Sequence, residues 1–216
     1  MLGGNNTYAG TTTVTAGSLI VNGNQSAATG GISVASGAKL GGAGTLGGAV
    51  SVLGTLAPGS SIESLSMGAL SFSNASTFAV ELDSSVPTSA GADLAVVSGG
   101  LNLDGTVTLS LADIAVSPTA FTLGTTFSLI NYTGSWNNGL FTLSGGGLLN
   151  EGAQFAFGLN TWEIRYADTI GGANFTADQL SGKFVNIEAV PEPSTYALLA
   201  LSALGLAGHV VRRRRR

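Results

Sequence analysis

TVTAGSLIV, residues 13–21, decides the fold. Val14 stands between Thr13 and Thr15, so an extended chain puts the valine on one face and both hydroxyls on the other. Ala16-Gly17 interrupts the run, and an apolar stretch resumes at Leu19. The same succession of strand, small turn and strand returns in ISVASGAKL (32–40), VSVLGTL (50–56) and LSFSNASTF (70–78). Val14, Val34, Val52, Phe72 and Val96 are then 20, 18, 20 and 24 residues apart. A period near twenty residues marks a solenoid, in which one short unit buries its apolar face only by stacking on the next.

Composition agrees. The chain has 216 residues, 33 of them Gly, with 9% charged, 44% hydrophobic, one His and no Cys. Gly at this density is too costly inside helices, at about 1 kcal/mol each, for a mainly helical protein. Without Cys, and with His209 alone, thiol nucleophiles, disulfides, zinc sites and the usual catalytic dyads drop out, and no cofactor or metal is expected. Arg212–Arg216 supply five of the eight basic residues. The rest holds Lys39, Arg165 and Lys183 against twelve acids, a net charge of −9, which disfavours a nucleic-acid partner.

Three regions follow. Residues 1–117 read as the repeat region, an all-β, short right-handed parallel β-helix. Gly17, Gly23, Gly37, Gly54 and Gly59 are expected at corners that need positive φ. A sandwich of hairpins has similar strands, and Asp104-Gly105 between LNL and TVTLSL has the look of a hairpin turn. Residues 118–189 keep strand character but lose the period, with TFSLINY (126–132), LFTLSG (140–145), AQFAFGL (153–159) and TWEIRYA (161–167) as the clearest strands. Alternation in the last puts Trp162, Ile164 and Tyr166 on one face and Glu163 and Arg165 on the other, the latter expected as a solvated ion pair. This region is expected to cap the solenoid, whose open end would otherwise aggregate.

Residues 190–216 are the third region: VPEPST, then YALLALSALGLAGHVV, then RRRRR. Residues 196–211 carry no formal charge with His209 neutral, and Tyr196, Leu198, Leu199, Leu201, Leu204, Leu206, Val210 and Val211 leave no polar stripe. Sixteen helical residues span about 24 Å against a hydrocarbon core of ~30 Å, with Ser194, Thr195 and snorkelling arginines covering the difference. A single transmembrane helix in membrane lipid is expected. Arg212, Arg213, Arg214, Arg215 and Arg216 form its cytoplasmic stop-transfer cluster, which puts residues 1–190 outside. Pro191 and Pro193 stiffen the segment before it and remove two backbone donors, leaving the extended backbone that a protease cleft accepts.

A Pro-Glu-Pro motif, a hydrophobic helix and a terminal Arg cluster, in that order at the C-terminus, resemble the PEP-CTERM sorting tail of exported bacterial proteins. The resemblance covers about 27 residues. It implies an exosortase as partner, with Val190, Pro191, Glu192, Pro193 and Ser194 as the recognised positions, acted upon rather than catalytic. LGGNNTYAGTTTVTAGSLIVNG (2–23) is similar to the autotransporter-associated β-strand repeat, which implies a surface-exposed β-helix. The two together imply an exported, non-enzymatic surface or extracellular-matrix protein of a Gram-negative bacterium, held transiently in the inner membrane. A permanently anchored adhesin and a polysaccharide-active β-helix enzyme are the alternatives, and extracellular polysaccharide is a further candidate partner. MLGGNNTYAG lacks the basic and apolar segments of an export leader, so a start within a longer array is expected.

Other motifs weigh less. Gly42-Ala43-Gly44-Thr45-Leu46-Gly47 spells a dinucleotide fingerprint, but strand-like rather than helical sequence follows. The same stretch begins like a calcium-binding nonapeptide and has Leu46 where the Asp ligand belongs. Glu81, Asp83, Asp93 and Asp104 are the acids a glycosidase or lyase would draw on; they read more simply as an acidic exterior. Asn5, Asn24, Asn74, Asn131 and Asn174 open Asn-x-Ser/Thr triplets expected by chance in so Ser/Thr-rich a chain.

Overall fold

The structure is a computed structural model that describes residues 1–86 and 91–192. Strands β1 (Thr12–Val14), β2 (Ser18–Ile20) and β3 (Asn24–Gln25) make the first coil, and β4 (Ile32–Val34), β5 (Lys39–Gly42) and β6 (Thr45–Leu46) the second. The third has β7 (Val50–Val52), β8 (Thr55–Pro58) and β9 (Ser64–Met67), and the fourth β10 (Leu70–Phe72), β11 (Thr77–Leu82) and β12 (Leu94–Val97). The fifth has β13 (Leu101–Leu103), β14 (Val107–Asp113) and β15 (Thr126–Tyr132), after which β16 (Phe141–Leu143) begins a sixth. The chain then forms β17 (Gln154–Phe157), β18 (Asn160–Asp168) and β19 (Lys183–Val190). No helix occurs among the described residues.

Three sheets result. The first runs β1-β4-β7-β10-β13, the second β2-β5-β8-β11-β14-β16, and the third β3-β6-β9-β12-β15-β19-β18-β17. Every pairing from β1 through β16 is parallel, as a solenoid requires. Register carries like residues onto like. In the second sheet Leu19, Leu40, Leu56, Phe78, Leu109 and Leu143 form one inward column, and beside it Ser18, Lys39, Thr55, Thr77, Thr108 and Thr142 form an adjacent, mostly hydroxylated one. Burial of the apolar column stabilises each coil by ~25 cal/mol per Å² of surface removed from water. Phe72, Phe78 and Phe141 close the upper interior, with centroids 5.7 Å (Phe72–Phe78) and 5.8 Å (Phe78–Phe141) apart.

Four expectations change. In the first sheet the column is Val14, Val34, Val52, Phe72 and then Leu103, 31 residues on, not Val96. Val96 belongs to the third sheet, in register with Ser66 and Asn131. The longer coil comes from an excursion after β11, closed where the Asp83 amide donates to the Gly91 carbonyl, 3.0 Å. Asp104-Gly105 is a coil corner with Gly105 at φ 69°, joining strands of two different sheets, so the hairpin reading fails. Parallel stacking also continues past residue 117, since β15 lies on β12 and β16 on β14.

The fourth change concerns the corner glycines. Gly17, Gly37 and Gly59 have positive φ, but Gly23 and Gly54 do not. A Cβ on Gly23 would strike the backbone of Gly3 and Gly4, and one on Gly54 that of Ala35 and Ala38. Close approach, not handedness, fixes those two.

The pairs β15–β19, β19–β18 and β18–β17 are antiparallel. Trp162, Ile164 and Tyr166 of β18 are buried in the same core as the coils, as the alternation predicts. Phe121 and Phe127 pack on Trp162 at 5.4 and 6.1 Å. Trp136, which bridges to Leu101 at the start of the last coil, stacks on Tyr166. The aromatic face of the hairpin thereby covers the solenoid's C-terminal end. On the other face Arg165 pairs with Glu163 and Glu188, both at 3.1 Å, at the surface.

Candidate functional site

The sorting motif grows out of the cap without a linker. Val190 is the last residue of β19, in register with Thr161 of β18, and is buried. Pro191 follows half-buried and Glu192 exposed. Pro193, Ser194, the expected membrane helix at 196–211 and Arg212–Arg216 lie outside the described residues. The strand that delivers the motif was not apparent in KFVNIEAV, because Asn186 interrupts its apolar run. The Asn186 amide is satisfied deep in the sheet: its Oδ1 accepts from the Ser128 hydroxyl at 2.8 Å, and its Nδ2 donates to Asp168 and to the Ile170 carbonyl.

Polar side chains gather at two other places. On the outer face of the first sheet, Thr13, Ser33, Ser51, Ser71 and Asn102 stand in register. A trough of about 400 Å³ runs along this face over Ala49, Ala69 and Gly100, flanked by Ser51, Ser71 and Asn102. Asn102 donates to Ser71 (3.3 Å) and Asp104 (2.8 Å), and its Oδ1 has no hydrogen-bond partner among the described residues. The carboxylate of Asp104 fixes that amide orientation, since the reverse would set oxygen against oxygen. Neutral hydroxyl and amide groups thus repeat once per coil along this face, ~4.8 Å apart.

The second place is a groove of about 300 Å³ lined by Lys39, Pro58, Glu81, Asp93 and Ser110. Here the fold brings Glu81 to Asp93, as well as Glu63, which the sequence did not single out. Asp93 is buried, and its carboxylate accepts the amides of Glu63 (3.0 Å) and Glu81 (2.8 Å). Burial pushes its pKa up to about 7, with the Glu81 and Glu63 charges adding and the two amides opposing. Asp83 instead caps Ser85 in the turn after β11, and Asp104 holds Asn102 and Asn137 at the corner, so the four acids do not converge. Among the described residues no three His, Cys, Asp or Glu are grouped to hold a metal ion.

The remaining motifs resolve structurally. Gly42 through Gly47 turns from β5 into β6 and on towards β7, so the dinucleotide fingerprint lacks its helix. Asn131 and Asn174 are fully buried and bonded to backbone, so neither can be a glycan acceptor in the folded protein.

The last strand of the coiled β body runs straight into the Pro-Glu-Pro segment. Residues 189–216 match the PEP-CTERM protein-sorting motif, and the chain carries that motif at its C-terminus. Over 62 residues, 28% of its length, it is 58% identical to the Adhesin BmaC autotransporter of Brucella suis biovar 1 (strain 1330). The match covers 2% of that much longer protein.

Proposed function

We propose that this is an exported, non-enzymatic surface or matrix protein of a Gram-negative bacterium, delivered through its tail. The apolar segment 196–211 halts in the inner membrane with Arg212–Arg216 inside, an exosortase recognises Val190–Ser194, and the β body passes to the cell surface or matrix. The observation that carries this is the direct junction of a finished, capped fold to the matched motif: β19 ends at Val190, within the first two residues of the matched segment 189–216. The repeated hydroxyls of the outer columns support extracellular polysaccharide as partner, and the adhesin name of the relative supports a surface role. A permanently anchored adhesin is the second reading, favoured by that same relative.

Replacing Pro191, Glu192 and Pro193 together by Ala tests the proposal in cells. The variant is expected to stay in the membrane fraction at full mass while the parent chain is shortened and leaves it. Equal shortening and release of both would overturn it, and retention of both at full mass would favour the permanent anchor.

A further inference from the structure

A sorting or processing enzyme needs extended backbone with free N–H and C=O groups, because an enzyme cleft reads a peptide largely by adding it as a strand. In this chain the paired strand runs into the motif itself, as far as Val190. β19 lies inside the third sheet, between β18 and β15, and is paired on both sides. Ala189 is still bonded on the β15 side: its amide donates to the Thr125 carbonyl at 2.8 Å, and its carbonyl accepts from the Gly124 amide at 2.7 Å. Trp162 faces Ala189 across the other side, and Thr161 faces Val190. Ala189 is 1% and Val190 8% exposed. Pro191 has no amide proton and is half-buried, so Glu192 is the first exposed residue beyond the sheet.

We infer that the cap sets the processing boundary: the bond broken in the tail lies no earlier than the one after Glu192, and the mature body keeps all of β19. The inference rests on the proposed processing and fixes where it occurs. In that step one peptide C–N bond breaks. Its carbonyl carbon passes to water, or to an amine or hydroxyl of an acceptor, and the nitrogen of the departing tail takes up a proton. A cut inside β19 would first require two rows of hydrogen bonds to open, including the strand that holds Trp162 over the core.

The folded cap thus protects the part of the chain that the body needs and offers only what it can lose. Removal of the tail beyond Glu192 leaves the pairings of β19 with β15 and β18 untouched. A product trimmed into β19 would expose the edges of both neighbours, a hazard for association.

Two measurements test the inference on the full chain. Limited proteolysis of the detergent-solubilised protein with proteinase K, mapped by intact mass, should place every early tail cut after Glu192. Cuts within residues 183–191 should be at least ~100-fold slower in buffer and become ordinary in denaturing urea. Early cuts within 183–191 in buffer would overturn the inference. The C-terminus of the protein from its native cells is the second reading. An end at Glu192 or beyond, with the arginines gone, supports it, and an end at Pro191 or earlier overturns it while leaving tail processing standing. An intact Arg216 on the exported protein overturns both.

Discussion

Trp136 lies flat on Tyr166, with ring centroids 5.2 Å apart and planes 2° from parallel. Through this pair the last coil and the cap share one core. The Tyr166 hydroxyl adds to it, accepting the Phe141 amide and donating to the Leu149 carbonyl, each at 3.0 Å. Tyr166→Phe strands a buried amide and a buried carbonyl and should cost about 2 kcal/mol; Tyr166→Ala should cost ~3–5 kcal/mol. Urea unfolding followed by tryptophan fluorescence measures both. A Tyr166→Phe protein within 0.5 kcal/mol of the parent, on the order of a surface change, would remove the hydroxyl from this account.

Asp93 gives the fold a pH signature. Its carboxyl sits at about 7 when folded, well above the usual carboxylate range, so folding favours its protonated form. That contribution is fully present below about pH 3.8 and is lost as pH rises through about 7, on the order of 4 kcal/mol across the window. Lys39, Glu63 and Glu81 are the charged groups around it. Asp113 works the other way: burial raises its pKa, but bonds from Ser84 and Ala115 outweigh burial and hold it below the usual value. The test is therefore the stability difference between the parent chain and Asp93→Asn at pH 4, 5.5 and 7.5. It should shrink steadily and then turn in favour of the variant as pH rises; a difference independent of pH contradicts the assignment.

The coil corners should resist any side chain. A Cβ at Gly48 would fall on the carbonyl of Gly30 in the coil below, whereas one at Gly147 meets nothing within 4 Å. Gly48→Val should destabilise by at least about 2 kcal/mol, and Gly147→Ala should stay within about 0.5 kcal/mol of the parent. Thermal or urea unfolding of the two variants side by side decides it, and equal effects would mean that the coils are not stacked this closely.

The surface ion pairs should matter little. Arg165 contacts Glu163 and Glu188 at 3.1 Å with much of its side chain in water. Arg165→Met is expected to cost less than about 1 kcal/mol, and raising the salt concentration should narrow the difference further. A larger, salt-independent loss would show that the guanidinium helps to hold β18 to β19.

The repeat was legible because stacking needs the same residue type at the same place: Val14, Val34, Val52 and Phe72 do lie in one column. Counting failed at the next coil, where Leu103 and not Val96 continues it, because the excursion after β11 lengthens the loop without disturbing the strands. Such insertions are nearly free for a solenoid and invisible to a fixed period. The strand β19 was missed for another reason. Asn186 looks like a surface residue until Ser128, Asp168 and Ile170 are seen to satisfy it, and those partners come from distant segments. The Asp93 groove was half visible: Glu81 and Asp93 stand out in the sequence, but only the fold brings the Glu63 amide to the buried carboxyl.

Separation of native cells into cytoplasmic, membrane and external fractions, with the mass of the chain read in each, tests the central claim most directly. The account predicts a shortened chain in the external fraction, with β19 complete and Arg212–Arg216 missing. A full-length chain dissolved in the cytoplasm with all five arginines in place would contradict it.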